Sequence, residues 1–172
     1  MFARRRRLPA ELRPPLDPDE RVVGWARTDP GSAVVASTAG LFLPGADRRL
    51  GWHEIHRAGW SGRALTVTAG ERVAQREGYA VTADRPPVTV HLPEPGDLPQ
   101  VVRTRVTRSV SFTSHHRVPG GGVLVVARRV PGTDGLTWAV RYDPGTDPEA
   151  PGVPEATDAL VAAARAAQDT DG

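Results

Sequence analysis

The sequence predicts a mainly β protein of the α+β class: a partly open barrel of short antiparallel strands closed by one helix. Two observations lead to this prediction. Between Arg21 and Leu92, short runs in which apolar and polar residues alternate are separated by turn residues, a pattern typical of a meander of strands. After Asp97, apolar residues recur at helical spacing. An added three-strand meander and a C-terminal helix complete the predicted architecture.

The strands follow one another along the chain with short turns between them. In the barrel we predict strands at 21–28, 33–38, 41–43, 50–60, 65–68, 79–82 and 88–92, and in the meander at 111–118, 123–130 and 136–142. Pro, Gly and Asp dominate the intervening segments, because they adopt the backbone angles that turns require. For the polar segment 70–78 the sequence leaves a loop and a short helix open.

Two interpretations compete for residues 98–110. Leu98, Val102 and Val106 have helical spacing, whereas alternate β-branched residues of the same segment would also suit a strand. Asp97 and Gln100 form the pattern of a capping box, which favours a helix that begins after Asp97. An alanine-rich segment at 155–168 predicts a second helix at the C-terminus.

Composition limits the classes of function. The chain has 172 residues, enough for one core, and a net charge of +2 in which every basic residue is arginine. It contains no cysteine, which excludes disulfides, thiolate metal sites and cysteine catalysis and is compatible with a reducing cytoplasm. No apolar run approaches the roughly 18 residues of a membrane span, and the basic N-terminus lacks the apolar core of a secretory signal. We therefore expect a cytoplasmic protein.

The composition changes along the chain predict four parts. Residues 1–19 are rich in Arg and Pro and are expected to form a flexible arm. Residues 20–110 form the barrel domain, 111–143 the antiparallel extension, and 144–172 a linker with the C-terminal helix.

No pattern of catalytic or metal-binding residues emerges. His53 and His56 flank a glutamate, but their spacing is i and i+3, whereas zinc peptidases require i and i+4 on a helix. His115 and His116 are adjacent and would diverge on a strand. We therefore expect no cofactor, no metal and no enzymatic activity. The enzyme alternative would require a deep pocket lined by Glu54, His56, Arg57 or His91.

One stretch carries a family resemblance. Leu50-Gly51-Trp52-His53-Glu54-Ile55, followed by Trp60, a turn at Gly62 and Leu65-Thr66-Val67, resembles bacterial PH-like domains of the pleckstrin-homology superfold. The resemblance implies a barrel plugged by the helix after Asp97 and a role in binding lipids or proteins. The loop at 29–32 carries an acid instead of a basic cluster, so no phosphoinositide-type site is assigned. The whole chain also resembles a protein type of actinobacteria.

These observations predict a binding protein. Our leading hypothesis is a non-catalytic cytoplasmic adaptor that contacts an unknown protein partner. The alternative is weak binding of an anionic membrane surface or nucleic acid through the basic arm. The tryptophans are expected mainly in the core, with Trp60 as an exposed anchor in the alternative interpretation. The candidate binding residues are Arg4, Arg5, Arg6, Arg7, Arg48, Arg49, Arg57 and Trp60.

Overall fold

The computed structural model describes residues 6–28 and 31–171. Over these residues the protein is mainly β with two α-helices, and one curled sheet forms a partial barrel. The predicted mainly β, α+β class is therefore confirmed. Arg4 and Arg5, two of the predicted binding residues, lie outside the described residues.

Eleven strands and two α-helices are described, together with two short 3₁₀ turns at Ala10–Leu12 and Trp52–Glu54. The strands are β1 (Val22–Arg27), β2 (Ala33–Ser37), β3 (Gly40–Phe42), β4 (Leu50–Gly51), β5 (Ile55–Ser61), β6 (Ala64–Arg76), β7 (Tyr79–Asp84), β8 (Val88–His91), β9 (Val110–Val118), β10 (Gly121–Arg128) and β11 (Thr137–Tyr142). The helices are α1 (Leu98–Ser109) and α2 (Val153–Thr170).

The chain divides into two compact units. Unit 1 contains the described residues up to Ala69 together with Pro86–Thr107, and unit 2 contains Gly70–Arg85 and the described residues from Arg108 onward. One boundary lies within β6. The bounds of these units do not coincide with the predicted division at residues 19, 110 and 143, because β7 pairs with β11, which comes much later in the chain.

Unit 1 has two groups of paired strands and one helix. The first sheet has the order β1-β2-β3-β4, and the first half of β6 pairs with β5 and β8. Helix α1 buries Leu98 and Val102 completely in the core, next to Leu41, Ile55 and Leu65. This burial explains why the helical spacing of 98–109 prevails over the strand pattern, as the capping box predicts.

The segment before β1, predicted as a flexible arm, packs three leucines on the four-stranded sheet. Leu8, Leu12 and Leu16 contact a second apolar cluster that includes Trp25 and Phe42. The 3₁₀ turn at Ala10–Leu12 lies in the middle of this segment. Leucines at this four-residue spacing therefore cover the face of β1 and β2 that is opposite to the main core.

Unit 2 is a five-stranded sheet with one helix. Its order is β6, β7, β11, β10 and β9; β11 and β7 are parallel and the other pairs are antiparallel. Val123, Val125 and Val140 are fully buried on the face that receives Val153 and Val161 of α2. The predicted meander after Val110 is confirmed, and its last strand joins β7.

The prediction for residues 70–78 was wrong. Strand β6 continues to Arg76 and pairs with β7, and Gly78 makes the turn between them with φ of +83°. The strand is not evident in the sequence because Glu71, Arg72 and Gln75 are exposed at the edge of the sheet. Polar residues at such an edge replace the usual alternation of apolar and polar residues.

Neither described helix combines the length and the apolar character that crossing a bilayer requires.

Candidate binding site

Strand β1 is an edge strand of unit 1. In the part of the chain that the structure describes, β1 pairs only with β2, and a β-bulge lies between Val22 and Gly24. An edge strand presents one row of backbone N–H and C=O groups that its sheet does not use. The second edge of β1 is therefore a potential site of strand pairing.

The register identifies which backbone groups face this open edge. The N–H of Thr28 donates to the carbonyl of Ser32 at 2.9 Å, and Ala26 lies opposite Val34. Hydrogen-bonded pairs alternate along an antiparallel ladder. The N–H and C=O groups of Trp25 and Arg27 consequently point away from β2.

A cleft follows this edge. Its volume is about 820 Å³, and all six residues of Val22–Arg27 line it. Successive residues of a strand point to opposite faces of the sheet. A cleft lined by every residue of a strand must therefore run along the strand's edge and not over one face.

Two different segments form the walls of the cleft. On one side is the leucine-bearing segment, which contributes Arg6, Arg7, Leu8 and Arg13. It is attached to β1 through Trp25, whose Nε1 donates to the carbonyl oxygen of Arg6 at 2.8 Å. We call this the arm wall.

The other wall comes from the loop that leads into α1. Glu94, Gly96 and Asp97 line the cleft on this side. Helix α1 packs on the opposite face of β1 from the arm, since Val101 and Leu98 lie 3.5 and 3.6 Å from the position that a Cβ atom would take at Gly24. We call this the loop wall.

The cleft is rich in arginine. Five arginines and three carboxylates line it. Glu20 is buried and accepts a 2.9 Å hydrogen bond from Arg49, and Glu94 pairs with Arg6 at 3.3 Å. Over residues 6–28 and 31–171, no ion pair engages the other four arginines, Arg7, Arg13, Arg21 and Arg27.

The structure brings together only some of the predicted binding residues. Arg6 and Arg7 line the cleft. Arg49 reaches the same region, but it pairs with Asp17 at 2.9 Å and with Glu20, so its charge is neutralised within the protein. Arg57 is exposed on β5, and Trp60 on the same strand is half-buried against the main core.

Arg48 pairs with Glu54 at 3.1 Å. Burial by itself would raise the pKa of the Glu54 carboxyl, but hydrogen bonds from the Arg48 guanidinium and the Gly51 N–H lower it below its usual value. The same hydrogen bond raises the pKa of Arg48. This pair links the loop before β4 to the 3₁₀ turn that follows β4.

The histidine pairs of unit 2 do not converge. Nε2 of His115 lies 2.7 Å from Oδ2 of Asp143, and Oγ of Ser114 lies 2.8 Å from Nε2 of His116. Ser114 and His115 are consecutive on β9, so the two pairs lie on opposite faces of the sheet. Nucleophile, base and acid are thus not aligned here as acyl transfer requires.

Sequence reasoning missed Trp25, Arg13, Arg21 and Arg27 as site residues. Arg27 lies over the Trp25 ring at 5.9 Å on the same side of β1. An Arg two residues after a Trp on a predicted strand could have indicated that the two side chains share one face of the strand. The sequence does not reveal that β1 lies at the edge of its sheet, because strand order depends on long-range pairing.

Comparison of the chain with protein-family models, with curated proteins and with solved structures finds no match.

Proposed function

We propose that this protein is a non-catalytic cytoplasmic binding module whose unit 1, a PH-like domain, takes an extended segment of another protein onto the free edge of β1. The observation that supports this function is the cleft along β1, because its floor is a row of backbone donors and acceptors that β2 does not use. The bound segment would extend the sheet by one strand.

Backbone hydrogen bonds to β1 would supply part of the binding free energy. Trp25 and Arg27 each offer one N–H and one C=O, so an added strand forms up to four backbone hydrogen bonds. Each contributes on the order of 0.5–1.5 kcal/mol net of its exchange with water. Apolar contact with Val23, Leu8 and the Trp25 ring adds to this, since all three line the cleft.

A protein segment fits the cleft better than a membrane surface or a nucleic acid. Arg6 and Arg7 would attract phosphates, but Glu94 and Asp97 line the same cleft and would repel them. A concave site with walls of opposite charge also suits a single extended chain more than a flat, uniformly anionic surface. Weak binding to anionic lipid or nucleic acid is retained as an outcome of the test.

The test uses a displayed library of random twelve-residue peptides selected on the full chain. Arg27→Pro removes an N–H that points away from β2 and therefore leaves the pairing with β2 in place. Arg27→Ala removes the same charge and keeps the N–H. We expect selected peptides to lose most of their affinity for Arg27→Pro and to retain most of it for Arg27→Ala.

Hydrogen exchange of the free and peptide-bound chain locates the contact. Binding is expected to slow exchange of the Trp25 and Arg27 amides, and circular dichroism of the two variants verifies that both fold. Selected peptides that protect other strands, or that bind Arg27→Pro as tightly as Arg27→Ala, would contradict strand addition at β1. A library that yields no binder would also contradict it.

A further inference from the structure

We propose that the segment bound along β1 is acidic at every second residue, with its carboxylates against the arm wall. This inference rests on the proposed function and specifies the chemistry of the partner. It follows from the unequal distribution of charge between the two walls of the cleft.

Four of the five arginines that line the cleft lie on the arm side. Arg6, Arg7 and Arg13 belong to the arm wall itself. Arg27 stacks over Trp25. The Trp25 ring packs against the same apolar cluster as the leucines of the arm, so the Arg27 guanidinium lies on this side as well. Among the described residues, Arg7, Arg13 and Arg27 form no ion pair.

The opposite wall has the opposite charge. Glu94 and Asp97 line it, and both are exposed. The side chains of a strand alternate between the two faces of its sheet. A strand added to β1 would therefore direct every second side chain toward the arginines and the intervening side chains toward Glu94 and Asp97. Carboxylates suit the first set, and neutral or basic side chains suit the second.

One contact links the two walls in the unbound protein. Arg6 pairs with Glu94 at 3.3 Å, and both side chains are about four-fifths exposed, at 80% and 81%. Such an exposed pair contributes little stability. A carboxylate of the bound segment can therefore replace Glu94 as the partner of Arg6 at little cost.

Four nine-residue peptides test the pattern directly. In the first, Glu alternates with Thr; in the second, Gln replaces Glu; in the third, the same Glu and Thr residues are arranged as two contiguous blocks; in the fourth, Lys replaces Glu. We expect the alternating Glu peptide to bind the full chain at least tenfold more tightly than the other three at 50 mM salt. We expect most of this preference to be lost at 0.5 M salt, where exposed charges are screened.

Matched variants assign the effect to the arm wall. Arg7→Gln/Arg13→Gln removes two of the unpaired arginines and is expected to weaken binding of the alternating Glu peptide about tenfold, because two ion pairs with carboxylates of the peptide are lost. Arg103→Gln/Arg129→Gln makes the same change of net charge at exposed positions outside the cleft and is expected to leave binding unchanged.

The outcomes separate this inference from the proposed function. If library peptides bind at β1 without acidic residues at alternate positions, the strand-addition site stands and the acidic pattern is refuted. Equal binding of the alternating and blocked Glu peptides would indicate a simple polyanion site and overturn the inference. Tighter binding of a uridine-rich RNA oligonucleotide or of phosphatidylserine vesicles than of any peptide, with loss in the double arm variant, would overturn it in favour of those ligands.

Discussion

The indole Nε1 of Trp25 donates a hydrogen bond of 2.8 Å to the backbone carbonyl of Arg6. This bond attaches the arm wall to the strand whose free edge forms the floor of the cleft. The Trp25 ring and the leucines Leu8, Leu12 and Leu16 pack against the same apolar cluster. The Trp25 indole therefore contributes to the position of the arm arginines relative to β1.

Replacing Trp25 by Phe is expected to loosen the arm while leaving the sheet intact. The ring retains much of its apolar contact, but the hydrogen bond to Arg6 is lost, at a cost of about 1 kcal/mol. We expect faster cleavage by trypsin after Arg7, measured by mass spectrometry of timed digests. Unchanged cleavage at this bond would contradict the role assigned to Trp25, and Trp60→Phe on β5 is the control.

Arg76 is expected to hold the segment after β11 against the sheet of unit 2. Its Nη1 donates to the hydroxyl of Tyr142 at 2.8 Å and to that of Tyr79 at 3.1 Å, while Nη2 reaches the Pro148 carbonyl and Glu149 at 3.3 Å. Burial by itself would lower the pKa of Arg76, but the hydrogen bonds to the two hydroxyls raise it above its usual value. The guanidinium also lies over both rings at 5.8 and 5.9 Å.

Arg76→Met is expected to lower the free energy of unfolding by about 2–3 kcal/mol, because several charge-assisted hydrogen bonds are lost and two hydroxyls lose a donor. Arg72→Met on the same strand is the matched control, since Arg72 is exposed, and should change stability by less than about 0.5 kcal/mol. Urea denaturation measures both. Equal effects of the two substitutions would show that the Arg76 contacts contribute no stability.

The protein is expected to lose stability at alkaline pH because of the raised pKa of Tyr79. Burial raises the pKa of Tyr79, and its hydrogen bond to Asp158 raises it further, to about 12. In the unfolded chain a tyrosine has a pKa near 10. Below that pH Tyr79 is protonated in both the folded and the unfolded state, and its contribution to the free energy of unfolding is fully present. As the pH rises from about 10 to 12 the unfolded state loses its proton first, and stability falls.

We expect the free energy of unfolding to decrease between pH 9.5 and 11.5 more steeply in the parent protein than in Tyr79→Phe. Urea denaturation at several pH values measures this difference in slope. The comparison of slopes removes the constant cost of the lost hydrogen bond. Parallel profiles for the two proteins would rule out the raised pKa of Tyr79.

Two glycines of unit 1 are expected to respond oppositely to alanine. A Cβ at Gly40 would lie 2.2 Å from the backbone oxygen of Leu50 on the paired strand, so Gly40→Ala must separate β3 from β4 and should destabilise by about 1–3 kcal/mol or more. A Cβ at Gly24 would meet Val101 and Leu98 at ordinary contact distances. Gly24→Ala should therefore be neutral or stabilise by about 0.5 kcal/mol. Thermal unfolding of both variants compares them.

Much of the fold was predictable because local patterns were strong. The short apolar run Ala33–Ser37, with two β-branched valines, indicates a strand, and the paired Asp97 and Gln100 indicate a helix start, without reference to the rest of the chain. The second half of β6 was not predicted as a strand because its polar residues Glu71, Arg72 and Gln75 leave no alternation of apolar and polar side chains. Its pairing with β7 is what makes it a strand.

The sequence by itself determined the class of the protein, the order of its strands and helices along the chain, and the absence of cysteine chemistry, since these depend on composition and on the spacing of near neighbours. Only the tertiary structure decided that β1 is an edge strand and that Arg6, Arg13 and Arg27 line one cleft. It also decided that Arg48 and Arg49 are neutralised by Glu54, Asp17 and Glu20. Apart from the pair Arg48–Glu54, those relationships join residues far apart in the chain, and their energies depend on distances that no local pattern encodes.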